Sequence, residues 1–147
     1  MTNCQIMRDY LLTLDLTSEM SENPDQLFYQ ELLVPLTYND IHHTIYMRFS
    51  RDEDVIHVVF VNIVKYDVNN TNKLFKIYEL LNEMNYNCFF SKFEMDMEEH
   101  AVVLNFVYNT HPDTFDPDKL FEIIANAIQD INKWYPALMK LKWGTSN

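Results

Sequence analysis

The run at residues 55–66, VIHVVFVNIVKY, is apolar at nearly every position, and a strand of that kind cannot leave either face comfortably in water. It predicts a central strand, with a packed interior on one side and a second face that also needs cover. Two segments upstream, 27–36 and 41–49, carry the same β-branched and aromatic bias. Short polar connections, Thr37-Tyr38-Asn39-Asp40 and Ser50-Arg51-Asp52-Glu53-Asp54, join the three segments as antiparallel hairpins.

Register follows from parity, because a slip of one residue exchanges the two faces of a strand. An even first loop sets Leu36 opposite Ile41 and puts Phe28, Leu32 and Val34 on one face with Ile45, Met47 and Phe49. An even second loop adds Ile56, Val58, Phe60 and Val64 to this core face. Pro35 then points away from the core and marks an edge strand, since it cannot donate to a ladder. The opposite face collects Tyr29, Leu33, Thr44, Tyr46, Val59, Val61 and Ile63.

Around these strands the periodicity turns helical. Cys4, Met7, Leu11 and Leu14, flanked by Ile6 and Tyr10, predict an amphipathic helix over 4–16, followed by a polar linker over 17–26. Leu74, Ile77, Leu81 and Met84 form the stripe of a second helix over 69–86, with Asn70 or Thr71 as its cap and Phe75 and Tyr78 beside the stripe. Strands at 88–97 and 101–109 follow, joined by Glu98-Glu99-His100. Their parity aligns Phe89, Phe93 and Met95 with Val102, Leu104, Phe106 and Tyr108, and adds Phe90, Val103 and Val107 to the second face. The last helix opens at Phe115-Asp116-Pro117-Asp118, where Asp116 can cap and Pro117 can take the first position. Its stripe is Leu120, Ile124, Ala127, Ile128, Ile131 and Trp134; Pro136 should kink or restart it, and Gly144 should end it. The expectation is one α+β domain over 1–147: a five-stranded antiparallel sheet with three helices, in the order α-β-β-β-α-β-β-α.

The totals narrow the function classes. With 48% hydrophobic residues in 147 the chain can fill a core without staples. Cys4 and Cys88, its two cysteines, have no metal-site spacing and read as free thiols in a reducing compartment. The beginning of the chain lacks a basic, cleavable leader and no apolar run spans a membrane, so a cytoplasmic protein is expected. Asn69-Asn70-Thr71 fits a glycosylation pattern but reads as a helix start. The net charge of −11 repels phosphate backbones and disfavours nucleic-acid binding, while suiting basic protein partners.

No catalytic, cofactor or metal constellation assembles. His42 and His43 are consecutive and face opposite ways on a strand, while His57 lies opposite Arg48, about 20 Å from His42. They cannot converge on a metal. His111, Asp113, Asp116 and Asp118 lack the spacing of a calcium loop, and helix capping accounts for the acids. Asp96, Glu98 and Glu99 read as a solvated hairpin tip. A single glycine cannot build a phosphate loop, and Ser50, Ser91 and Cys88 stand in no nucleophile motif.

The element order resembles the type III secretion-chaperone-like fold, and particular residues resemble the YbjN-like family of putative bacterial sensory transduction regulators. Leu81-Asn82-Glu83-Met84-Asn85 looks like that family's Leu-Asn-x-x-Asn helix end, followed by Phe93-Glu94 and Val102-Val103. Trp134-Tyr135-Pro136-Ala137-Leu138-Met139, closing at Gly144, looks like its Tyr-Pro terminal segment. The likeness covers most of the chain from Val55 onward, and the first third matches by element order alone. It implies a small acidic cytoplasmic protein, often dimeric, that binds proteins and performs no known chemistry. The absence of glycine from every hairpin departs from the family's pattern.

The second sheet face carries the functional expectation. Burying a side chain of its kind is worth roughly 1.5–3 kcal/mol, so one of the protein's own helices, a second copy or a client should cover it. Tyr29, Leu33, Tyr46, Val59, Val61 and Ile63 are the candidate partner-binding residues of a non-enzymatic chaperone or adaptor that holds a protein on the sheet face or edge. The alternative is a small-ligand or enzymatic domain with a pocket between sheet and helices.

Overall fold

The computed structural model describes residues 1–67 and 69–144. Its elements are α1 (Asn3–Thr13), β1 (Glu19–Glu22), β2 (Phe28–Tyr38), β3 (Ile41–Ser50), β4 (Val55–Lys65), α2 (Thr71–Asn87), β5 (Lys92–Asp96), β6 (Ala101–Asn109) and α3 (Pro117–Trp143). The strands form one antiparallel sheet in the order β1-β2-β3-β4-β6-β5. It has six strands where five are expected from sequence. The additional strand, β1, lies in the segment read as a polar linker. It pairs Glu19–Glu22 with Leu33–Gln30 and puts only Met20 against the core. With one apolar residue in four it has no period to detect.

The centre of the sheet keeps the register that even loops dictate. Val34 pairs with Ile45, Ile45 with Phe60, and Phe60 with Leu104. Phe49 and Phe60 are both buried in the single core. All three helices enter the same core: Cys4, Met7 and Leu11 from α1, Ile77, Leu81 and Met84 from α2, and Leu120, Ile124, Ile128, Ile131 and Leu138 from α3. The molecule is therefore two layers, with every described helix on one side of the sheet.

The first hairpin is longer than parity alone suggests. Leu36 pairs with His43, not Ile41, because both strands run on to a two-residue turn at Asn39-Asp40. Both turn residues have positive φ, 49° and 63°, the conformation that makes a primed turn match strand twist. Asn and Asp tolerate it better than other residues with a Cβ, so glycine is dispensable here. Glu53 (φ 60°) and His100 (φ 54°) serve the other two hairpins. Pro35 sits two residues beyond Leu33, the last residue of β2 that β1 pairs, so its missing donor faces an unoccupied edge.

Helix ends follow the expected chemistry. Thr2 and Gln5 form a capping box on α1, Asn70 caps α2 through the Lys73 N–H, and Asp116 caps α3 through the Asp118 N–H. Helix α3 passes through Pro136 without ending there, leaving the Asn132 carbonyl without its intrahelical donor. Gly144 does cap it, its N–H 2.7 Å from the Lys140 carbonyl. A Cβ at that position would lie 2.6 Å from the same oxygen. No helix among the described residues is long and apolar enough to cross a membrane.

Candidate functional site: the open sheet face

A single row of residues crosses all six strands on the side away from the helices: Glu19, Leu33, Tyr46, Val59, Asn105 and Lys92, each paired with the next. Its centre is aliphatic and aromatic and its two ends are charged. That is the anatomy of an interface, an apolar middle within a polar rim. Thr44 and Val61 form the next row beside Pro35, and Val103 lies opposite Glu94. On the other flank Glu31, Arg48, His57 and Val107 are paired in turn, with Arg48 Nε 3.0 Å from Glu31 Oε2. Val107 is half exposed. Burial and the adjacent Arg48 guanidinium both hold the His57 imidazole below its ordinary pKa.

Four of the six expected partner-binding residues, Leu33, Tyr46, Val59 and Val61, lie together on this face. Tyr29 does not. A bulge between Phe28 and Gln30 inserts one residue and reverses the alternation. Phe28, expected in the core, turns to the open face against the His57 ring at 6.3 Å. Tyr29 turns toward the start of α1, where its hydroxyl donates to Glu53 Oε1 at 2.8 Å. Glu53 also accepts from the Asn3 backbone at 3.0 Å, so the β3–β4 turn supplies the carboxylate for the positive end of α1. Burial, then the bond to Glu53, raises the Tyr29 phenol to about 12.

Ile63 is also displaced. Between Phe60 and Val64 the register with β6 slips by two residues, Asn62 takes φ 53° and is exposed, and Ile63 packs against the core. The sequence signal was Asn62 itself, the one polar residue in VVFVNIV, of a type enriched at left-handed φ. The second hairpin needs a parallel correction. Strand β5 begins at Lys92, so Phe89 is fully exposed instead of buried. Phe90 leaves the open face to meet Phe106 edge-on at 5.4 Å. Phe93 and Met95 pair with Leu104 and Val102 as expected.

The sheet edges are closed by different means. Asn85, at the end of α2, donates Nδ2 to the Phe93 carbonyl at 2.9 Å and accepts from the Phe93 N–H at 2.7 Å. One amide side chain thereby occupies the outward backbone groups of Phe93, the second residue of edge strand β5, where another strand would otherwise pair. The opposite edge, β1, is four residues long with a glutamate at each end. Short, charged edges resist strand addition.

Elsewhere several titratable groups are engaged structurally. His42 is exposed and 2.7 Å from the Thr37 hydroxyl, whereas His43 is buried on the core face. Asp96 accepts from the Glu98 and Glu99 N–H groups in the hairpin tip. Burial raises the Cys4 thiol to about 12, which leaves little thiolate at neutral pH. Among the described residues no three metal-ligating side chains come together. A cavity of about 550 Å³ lies between α2 and α3, not between sheet and helices. A smaller one, about 140 Å³, lies between Phe90-Ser91 and α3.

A family model described as YbjN, putative bacterial sensory transduction regulator, matches residues 5–140. No curated protein matches the chain.

Proposed function

From the premise that the chain belongs to the YbjN family of putative bacterial sensory transduction regulators, we propose that it is a non-enzymatic adaptor or chaperone that holds a partner protein on the open sheet face. The observation that carries this is the cross-sheet row with Leu33, Tyr46 and Val59 at its centre and charge at both ends, on the side that no described helix covers. The face measures on the order of 25 Å by 25 Å, or roughly 600 Å² per partner, the lower part of the range for specific interfaces. Strand addition is the weaker mode, since Asn85 and the glutamates of β1 guard the edges.

The occupant is a basic protein surface with an apolar centre. A second copy would bring another −11 charge against the first, which favours a complementary partner over self-association. Two free, buried thiols support a reducing cytoplasmic setting.

The test is Tyr46→Asp. In partners captured from the producing bacterium, this substitution should weaken binding by about tenfold or more without lowering the melting temperature appreciably. Hydrogen exchange on the captured complex should show protection of residues 44–48 and 57–61. Protection confined to the helices, undiminished capture by Tyr46→Asp, or a stable dimer that the substitution dissociates would each overturn the reading.

A further inference from the structure

We propose that the groove between α2 and α3 binds a single medium-chain carboxylate, its head among Lys73, Lys76 and Lys140 and its tail along Leu80, Ala137 and Leu141. The inference is independent of the sheet face, which lies on the other side of the molecule. Charge is the first ground. In a chain of net charge −11, four of the eight lysines, at 73, 76, 140 and 142, fall where α2 begins and α3 ends. Three of them, Lys73, Lys76 and Lys140, line the groove, while Lys142 lies over the Trp143 ring, and three cations gathered in an acidic protein make a local site for an anion.

Shape is the second. The groove holds about 550 Å³, well inside the range of small-molecule sites. Along α2 it extends from Lys73 to Glu83, about 15 Å at the helical rise. Its floor is Leu80, Ala137 and Leu141, so the ligand needs an apolar body as well as a charge. The walls are fixed in advance, because Lys73 Nζ donates to the Lys142 carbonyl at 3.0 Å and ties the start of α2 to the end of α3.

Polarity sets the number of charges. Glu79 and Glu83 line the same groove beyond the lysines. They repel a second anionic group, which excludes dicarboxylates and polyphosphates of the same length. One acidic head with an uncharged tail is the ligand that this arrangement selects.

The test is calorimetric titration of the full chain with sodium decanoate below its micellar range, read together with fluorescence of Trp143, which is exposed beside the groove rim. Decanoate should saturate at one per chain. Decanedioate and decyltrimethylammonium should bind about tenfold or more weaker. Lys140→Glu should weaken decanoate by about tenfold, while the same charge change at Lys119, in the first turn of α3, should leave it unaltered. Ala137→Phe, which fills the floor, should abolish binding with the far-ultraviolet dichroism unchanged. The proposal is overturned by no saturable binding up to about 1 mM, by equal binding of the cationic amphiphile, or by indifference to Lys140→Glu. Binding of anionic vesicles or polyglutamate in place of decanoate would overturn it in favour of a membrane surface or an acidic peptide.

Discussion

At the scale of the residue, the informative side chains are polar ones in apolar places. His43 is 4% exposed, meets Phe60 edge-on at 6.0 Å, and among the described residues its Nε2 makes no hydrogen bond of ordinary geometry. Burial lowers its pKa below the ordinary 6.5, with His42 adding to the shift and Asn132, facing it from α3, opposing it. A group that binds protons more weakly folded than unfolded draws the equilibrium toward the unfolded chain as pH drops below its unfolded pKa. Stability should therefore be complete above about pH 7 and decline toward pH 5, and His57, shifted in the same direction, adds to the decline. Denaturant titrations at several pH values check this; His43→Gln should flatten the slope without removing it. Asn85 is the second such residue. Replacing it with Ala removes both bonds to Phe93 and should cost about 1–3 kcal/mol in urea melts. Asp in its place keeps an acceptor for the N–H but has no donor for the carbonyl. The family's Leu-Asn-x-x-Asn resemblance thus acquires a structural meaning at its last position.

At the scale of the element, periodicity and caps were readable and interruptions were not. The stripes put Ile77, Leu81 and Met84 of α2 and Leu120, Ile124, Ala127, Ile128 and Ile131 of α3 in the core because each apolar position recurs at helical spacing, while Leu74, in the first turn of α2, stays outside it and Trp134 is only partly buried against it. The strands were readable wherever two faces differ in polarity, as in Ile45, Met47 and Phe49. Parity fails at a bulge, and nothing in Leu27-Phe28-Tyr29-Gln30 shows that the alternation reverses there, since Phe and Tyr suit either face. Unbroken alternation therefore puts Tyr29 on the open face and Phe28 in the core, the reverse of where the bulge sends them. Strand β1 was hidden for a different reason: an edge that must resist pairing is made polar, which erases the pattern by which strands are recognised. The glycine-free hairpins remain improvable. Asp40 stands at φ 63°, where a Cβ is strained and glycine is not. Asp40→Gly should raise the melting temperature by a few degrees, and a decrease on calorimetry would show that the turn gains more from the Asp side chain than it loses in strain.

At the scale of the whole molecule, the question the sequence left open was which layer covers the second face, because amphipathic helices carry no label for the side of the sheet they join. Residues 4–11, 77–84 and 120–138 all join one core, so the sheet keeps one closed and one open side. Two neighbouring positions separate these sides. Val58 is fully buried, while Val59, one residue on, is partly exposed at the centre of the open row. An aspartate at 58 must either bury a charge or take up a proton in the core, and either cost is several kcal/mol. Against a total stability of about 5–15 kcal/mol for a domain of this size, Val58→Asp should leave little folded protein at 37 °C. The same aspartate at 59 keeps its water and loses only part of one aliphatic contact, about 1 kcal/mol. Val59→Asp should therefore melt cooperatively within a few degrees of the parent, yet release the partner as Tyr46→Asp does. Dichroism melts of the two variants, with partner capture on the folded one, make the comparison. Two equally stable proteins would mean that the sheet does not have these two sides. A folded Val59→Asp protein that still holds its partner would move the interface off this face.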